Sequence, residues 1–303
     1  MPDRRVCVVV SSAGRPEWLA LLWERLRAQS HPPHRVILAV PTPEDLPPGL
    51  DAGARAGPAV VLSPRGLPRQ RNRGLERALA EGADVVAFLD DDYLPSRHAL
   101  RGLARAFDAF PEASGVTGVL LADGARGPGI APEEAARLVD GWDADGAAAA
   151  RAQAPPRILA RLRGLYGCNM AYRASAIGAT RFDERLPLYA WQEDVDFAAR
   201  VPGAKIKTDA LVGVHCGAKQ GRERRGEMLG YSQIANPLYL LGKGTMRRRL
   251  ALRLCASNLA SNHLRALRPE PWIDRRGRLR GNWRAIADLC RGSLHPERIL
   301  AFR

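Results

Sequence analysis

Three carboxylates stand side by side in VVAFLDDDYLPS, residues 85–96, directly after a run of apolar residues. Adjacent anions repel, and burying them raises their pKa values. Two readings of Asp90, Asp91 and Asp92 stand: a solvated turn, or a place where something positive binds. Hard divalent cations such as Mg2+ and Mn2+ take carboxylate oxygens and keep positions for water and substrate phosphates. The second reading therefore implies a nucleotide-phosphate ligand more than a closed metal cage. A phosphatase-type aspartate nucleophile fits less well, because the run lies far from the first strand and no Thr follows it.

Three further clusters bear chemistry. In LPRQRNRGL, residues 67–75, Arg69, Arg71 and Arg73 alternate with Gln70 and Asn72 ahead of a helical pattern. Guanidinium forks suit phosphate, and a helix N-terminus adds positive potential; a solvated basic helix start is the plainer reading. In WQEDVDF, residues 191–197, Glu193, Asp194 and Asp196 sit where a helix begins, a routine place for anions. A carboxylate there, beside Tyr189 and Trp191, could equally take a proton from a substrate hydroxyl. His215 ends the strand-like ALVGVHC, either as a satisfied structural histidine or as a neutral imidazole ligand for a metal.

The elements that must position these groups alternate. RVCVVVSS, RVILAV, PAVVLS and ADVVAFL read as buried strands, with amphipathic helices EWLALLWERLRAQ and RGLERALAEG between them. Hydrophobic strands separated by helices predict a mostly parallel sheet covered on both faces, with functional groups beyond the carboxyl ends of its strands. Residues 122–156, rich in Ala, Gly and Pro, read as a loop with helical pieces, and KIKTDALVGVHC reads as a late strand. From residue 226 onward the pattern is helical.

The formal net charge is +14 over 303 residues, and residues 219–303 hold 19 Lys and Arg against 6 Asp and Glu. The composition, 46% hydrophobic and 26% charged, excludes disorder throughout. No apolar run approaches a spanning helix, and the N-terminus lacks a secretory signal pattern. Five dispersed cysteines without a CxxC pair argue for reduced thiols and a cytoplasmic protein, against a disulfide framework or zinc knuckle. The basic tail raises a competing reading, a nucleic-acid-binding protein without catalytic activity. Concentration of the charge in the tail and sparse aromatic residues weigh against it, so no nucleic acid is expected. Basic and apolar residues at helical spacing in MRRRLALRLCASNLASNHLRAL suit either packing on the body or peripheral binding to an anionic membrane surface.

Taken in order, strand one, RNRGL, FLDDD, GCNMAYR with FDERL, WQEDVDF and a late His resemble the family-2 glycosyltransferases over roughly residues 5–235. The resemblance implies a GT-A fold, Rossmann-like with a mostly parallel sheet flanked by helices, over residues 1–235, with residues 236–303 as a basic helical extension. It implies a nucleotide-sugar donor (UDP-, dTDP- or GDP-linked), Mn2+ or Mg2+, and a saccharide, lipid-linked or small-metabolite acceptor. By the same resemblance Asp92 and His215 ligate the metal. Ser11, Arg15, Arg71, Asn72, Asp90 and Asp91 face the nucleotide sugar. Asn169 and Trp191 face the acceptor, and Asp194 is the general base with Glu193 beside it. Where the family carries an acidic turn after the second strand, this chain has AVPTPEDL, with Glu44 and Asp45 the nearest acids.

Overall fold

The computed structural model describes residues 4–50, 57–146, 150–151, 153–219 and 226–302. Part of the Ala-rich stretch read as a loop with helical pieces, residues 147–149 and 152, lies outside the described residues. The described chain divides into two units, one built from residues 1–65, 69–181 and 201–218 and the other from 66–68, 182–200 and 219–303.

The first unit carries a sheet of nine strands: β1 (Val6–Ser11), β2 (Arg35–Val40), β3 (Ala59–Leu62), β4 (Val85–Asp90), β5 (Tyr93–Pro95), β6 (Ala113–Asp123), β7 (Ile158–Leu162), β8 (Asn169–Arg173) and β9 (Ala204–His215). The strands follow the order β3-β2-β1-β4-β8-β6-β9-β5, with β7 also on β9. Strands β1 to β4 pair in parallel, as do β6 and β9, while β8 runs antiparallel between β4 and β6. Strands β5 and β7 lie antiparallel on β9. Six strands thus point one way, and β1, β4, β6 and β9 end at one common edge.

Residues Val6 to Val10 of β1 are all buried, as a strand covered on both faces requires. Val6, Val8 and Val10 join Leu19, Leu22 and Leu26 of α1 (Pro16–Arg27) and Leu100, Leu103 and Phe107 of α3 (Ala99–Ala109) in the main core. The intervening Val9 points to the other face, against α2 (Leu67–Ala80), where a Cβ on Gly74 would come within 2.3 Å of its methyl carbon. The stretch read as a loop with helical pieces holds an amphipathic helix, α4 (Pro132–Ala144), which buries Ala135 and Val139.

The second unit is helical: α6 (Glu193–Arg200), α7 (Gly226–Gly242), α8 (Arg248–Arg265) and α9 (Arg275–Cys290), following the short α5 (Ala174–Ile177) of the first unit. Residue 235, the expected end of the body, falls inside α7. Helices α7 and α9 approach backbone to backbone, because Gly230 faces the Arg278 carbonyl and Gly281 faces that of Glu227. Between the helices lies a polar core, in which Asn262 donates to Gln233 (2.9 Å) and Asn282 (2.8 Å) while accepting from Arg275 (3.1 Å). Buried amides joined this way fix one register.

Helix α3 meets β9 as closely as α2 meets β1: a Cβ on Gly102 would come within 1.8 Å of the Ala210 carbonyl oxygen. The neighbour is backbone and cannot rotate away. Gly102→Ala is expected to cost about 1–3 kcal/mol of stability or more by forcing helix and strand apart. Chemical denaturation measures it, and an unchanged midpoint would contradict the close packing.

Candidate functional site

Register brings the site together. Ser11 of β1 pairs with Asp90 of β4, and Asp123 of β6 pairs with His215 of β9. Tyr93, just past the acidic run, also pairs with His215, so β5 folds the end of the run back onto β9. The result is a group formed by Asp90, Asp92 and His215, whose nearest ligand-type atoms all lie within 4.8 Å of one another. Two carboxylates and an imidazole are a fitting donor set for a Mn2+-class cation.

Each carboxylate of the run has a different environment. Asp90 is partly exposed and accepts from Arg71 Nη2 at 2.8 Å, while the same nitrogen donates to the Gly167 carbonyl at 2.9 Å. Asp91 is wholly buried, takes the Ser12 hydroxyl at 2.6 Å and pairs with Arg15 at 2.5 Å. Burial pushes its carboxyl up to about 7, against the pull of Arg15. Asp92 accepts the Ala218 backbone N–H at 2.7 Å through one oxygen, and its other oxygen lies 3.6 Å from His215 Nε2. Burial alone would raise its pKa, but His215, Arg15 and that N–H hold it at about 2.

His215 is nearly buried, and its Nδ1 donates to Asp123 Oδ1 at 2.8 Å. Desolvation would lower its pKa; the flanking Asp123 and Asp92 outweigh it and raise the imidazole to about 10. Asp123 itself, despite partial burial, is held at about 2 by His215, the Ala125 N–H and the Tyr166 hydroxyl. With no cation bound, the imidazolium is the counter-ion of the group.

The other expected residues are placed as follows. Arg71 and Asn72 are buried, and Arg71 is committed to Asp90 and Gly167. Arg15 caps the approach to Asp91 and Asp92. Ser11 lies at the end of β1, half-buried. Asn169, expected at the acceptor, is fully buried at the start of β8, and its side-chain oxygen accepts from Thr117 at 2.5 Å. Asp91, expected at the nucleotide sugar, lies wholly buried behind Ser12 and Arg15. Asp45 is likewise occupied, accepting the Gly14 backbone N–H and both the N–H and hydroxyl of Thr42.

In the second unit the three acids of WQEDVDF separate. Asp196 is fully buried and accepts from Arg200 (2.6 Å), Lys243 (3.0 Å) and Thr245 (2.8 Å). Glu193 is buried, whereas Asp194 reaches solvent and accepts the Val195 N–H at 2.8 Å. Trp191 is half-buried, its carbonyl accepting from Asn236 at 2.8 Å. Leu188, Ala190 and Gln192 all have positive φ (58°, 53° and 75°). Three non-glycine residues in the left-handed region within five positions store strain just ahead of α6, as chains do where a functional loop must be fixed.

Sequence reasoning missed Asp123 and Tyr166. Asp123 sits in VLLADGARG, whose composition marks an ordinary strand end, and only the pairing with His215 reveals it.

A profile of the family described as "Glycosyl transferase family 2" matches residues 7–177. No curated protein sequence matches the chain. Among solved structures, the mannosyltransferase PcManGT from Pyrobaculum calidifontis, in complex with GDP-Man and Mn2+, is similar at TM-score 0.50 and 16% identity, over 99% of this chain and 79% of that one. At that identity the likeness concerns the fold. S. aureus TarS 1-349 has a TM-score of 0.48 at 12% identity, covering 95% of this chain and 92% of that one. Glucosyl-3-phosphoglycerate synthase from Mycobacterium tuberculosis, in complex with Mn2+, UDP and glucosyl-3-phosphoglycerate, has 0.46 at 16%, covering 78% and 79%.

The raised pKa of His215 fixes a pH dependence. A pKa lifted from 6.5 to about 10 on folding contributes stability that is whole below pH ~6.5 and is lost as pH rises through the folded value. In chelator, the unaltered protein should out-melt His215→Gln by the widest margin near pH 6, with the gap narrowing towards pH 10. A margin constant across that range would contradict the paired imidazolium.

Proposed function

The chain belongs to glycosyl transferase family 2, and from that we propose that it moves a sugar from a nucleotide-diphosphate donor to an acceptor hydroxyl with inversion at the anomeric carbon. The observation that carries the reading is the meeting of Asp90, Asp92 and His215 at the carboxyl edge of the sheet, where open α/β sheets bind nucleotides. The PcManGT complex, of like fold, supports a nucleotide-sugar donor and a divalent metal.

In this reading Asp92 and His215 hold the cation and Asp90 faces both it and the nucleotide. A divalent cation at this place supplies positive charge against the diphosphate as it departs. Arg71 orients Asp90 from below. Arg15, paired with the buried Asp91 at the turn after β1, lines the nucleotide side with Ser11 and Asn72. Asp194 is the general base: the acceptor oxygen bonds to the anomeric carbon, its proton passes to the carboxylate, and the bond to the diphosphate oxygen breaks. Its exposure supports the choice, since Glu193 and Asp196 are buried. Glu193 orients Asp194, and Trp191 offers a flat apolar surface to the acceptor sugar. Asp194→Asn is expected to lower transfer by about 100-fold or more while leaving Mn2+ and nucleotide binding intact. Near-normal turnover of a nucleotide sugar by that variant would remove Asp194 from the role.

We further propose that the basic helices meet an anionic membrane surface, which suits a lipid-linked acceptor. Residues 243–269 contain seven Lys and Arg and no Asp or Glu. On α8, Arg248, Arg249 and Arg253 are exposed with Leu252 (48%) and Leu264 (77%), and exposed Trp283 bonds to His263 beside them. Among the described residues no helix is long and apolar enough to cross a membrane, so such contact is peripheral. The protein should float with phosphatidylglycerol vesicles at low salt and not with phosphatidylcholine, and the triple Arg248→Glu, Arg249→Glu, Arg253→Glu variant should stay behind. Equal flotation by that variant would dismiss the surface.

A further inference from the structure

We infer that Asp123 and Tyr166 are positioning residues for His215, and that the consecutive residues Tyr166 and Gly167 tie together the two wings of the metal-ligand group. The inference rests on the reading of Asp90, Asp92 and His215 as that group.

The distances state the case. His215 Nδ1 donates to Asp123 Oδ1 at 2.8 Å, which leaves Nε2 directed at Asp92 Oδ1. That separation, 3.6 Å, is too long for a hydrogen bond yet suits two ligands sharing one cation. Asp123 is in turn fixed twice, by the Ala125 N–H at 3.0 Å and by the Tyr166 hydroxyl at 3.0 Å. The Tyr166 ring also stands edge-on to the imidazole, with centroids 5.8 Å apart at 90°. A histidine whose second nitrogen is held by a carboxylate keeps its ring orientation and tautomer, which is how ligating histidines are commonly supported.

The next residue serves the other wing. The Gly167 carbonyl accepts from Arg71 Nη2 at 2.9 Å, and the same nitrogen donates to Asp90 at 2.8 Å. A chain running Tyr166, Asp123, His215 therefore supports one ligand, and a chain running Gly167, Arg71, Asp90 supports another. Both start from one loop, between β7 and β8. Displacing that loop would move His215 and Asp90 together, while Asp92 is held separately by the Ala218 N–H.

The test is Mn2+ affinity, read from loss of the free-ion paramagnetic resonance signal, with UDP or GDP present and absent. Asp123→Ala should weaken Mn2+ binding by about 10- to 100-fold. Tyr166→Phe, which keeps the ring and removes the hydroxyl, should weaken it less. In a His215→Ala background, Asp123→Ala should cause no additional loss, because nothing remains to be positioned. Wild-type affinity in Asp123→Ala, or an equal further loss in the His215→Ala background, would overturn the role and leave Asp123 a merely structural residue. Failure of the unaltered protein to bind Mn2+ under any of these conditions would instead overturn the metal reading on which the role depends.

Discussion

Three neighbouring carboxylates at the end of β4 cannot share one environment, and the site is organised around keeping them apart. Each faces a different set of cations: Arg71 for Asp90, Arg15 for Asp91, and His215 with Arg15 for Asp92. The partners come from α2, from the turn after β1, and from the end of β9. A run that would repel itself in isolation thus becomes the point on which three separate parts of the first unit converge. Burial is graded along it, from partly exposed Asp90 to wholly enclosed Asp91.

That grading divides the labour. A carboxylate with no exposure, held by Ser12 and Arg15, ties the end of β4 to the turn after β1. Its two neighbours point the other way, toward His215. The counter-charge at His215 is labile, because an imidazolium can give up its proton whereas Arg15 cannot. The same group can therefore be neutralised from within by a proton or from without by a cation.

Much of this was legible in the residues. The strand pattern of VCVVV and VVAFL, the acidic run and the late His each followed from periodicity or residue type, and their order pointed to the family. The remainder depended on pairings that a linear reading does not contain. Asn169 is polar and lies in a motif, but that it is enclosed at the start of an antiparallel strand between β4 and β6 follows only from the pairing. Asp123 looked unremarkable, since nothing in its own segment announces that β9 will bring an imidazole alongside. Likewise Asp194 and Asp196 are two residues apart and chemically alike, and only Lys243, Arg200 and Thr245 closing around Asp196 tell them apart. Within residues 122–156 small residues of low pattern strength showed helical pieces but not their bounds, which Ala135 and Val139 at helical spacing set by seating α4.

The pairing of β6 with β9 carries irregularities at Ala113/Gly115, Thr117/Val119 and Leu120/Ala122 before it reaches Asp123 and His215. Side chains on a strand alternate between faces, so each irregularity also decides which way the end of the strand presents itself. The alignment of carboxylate with imidazole is thus a running total of small offsets along both strands. Such a pair of strands can drift widely in residue identity over evolutionary time and still deliver its last residue to the same spot. An uncompensated insertion or deletion in either strand would shift that meeting by a residue and turn the end side chain to the other face. Among descendants of this sequence, the spacing within these two strands should be the slower clock.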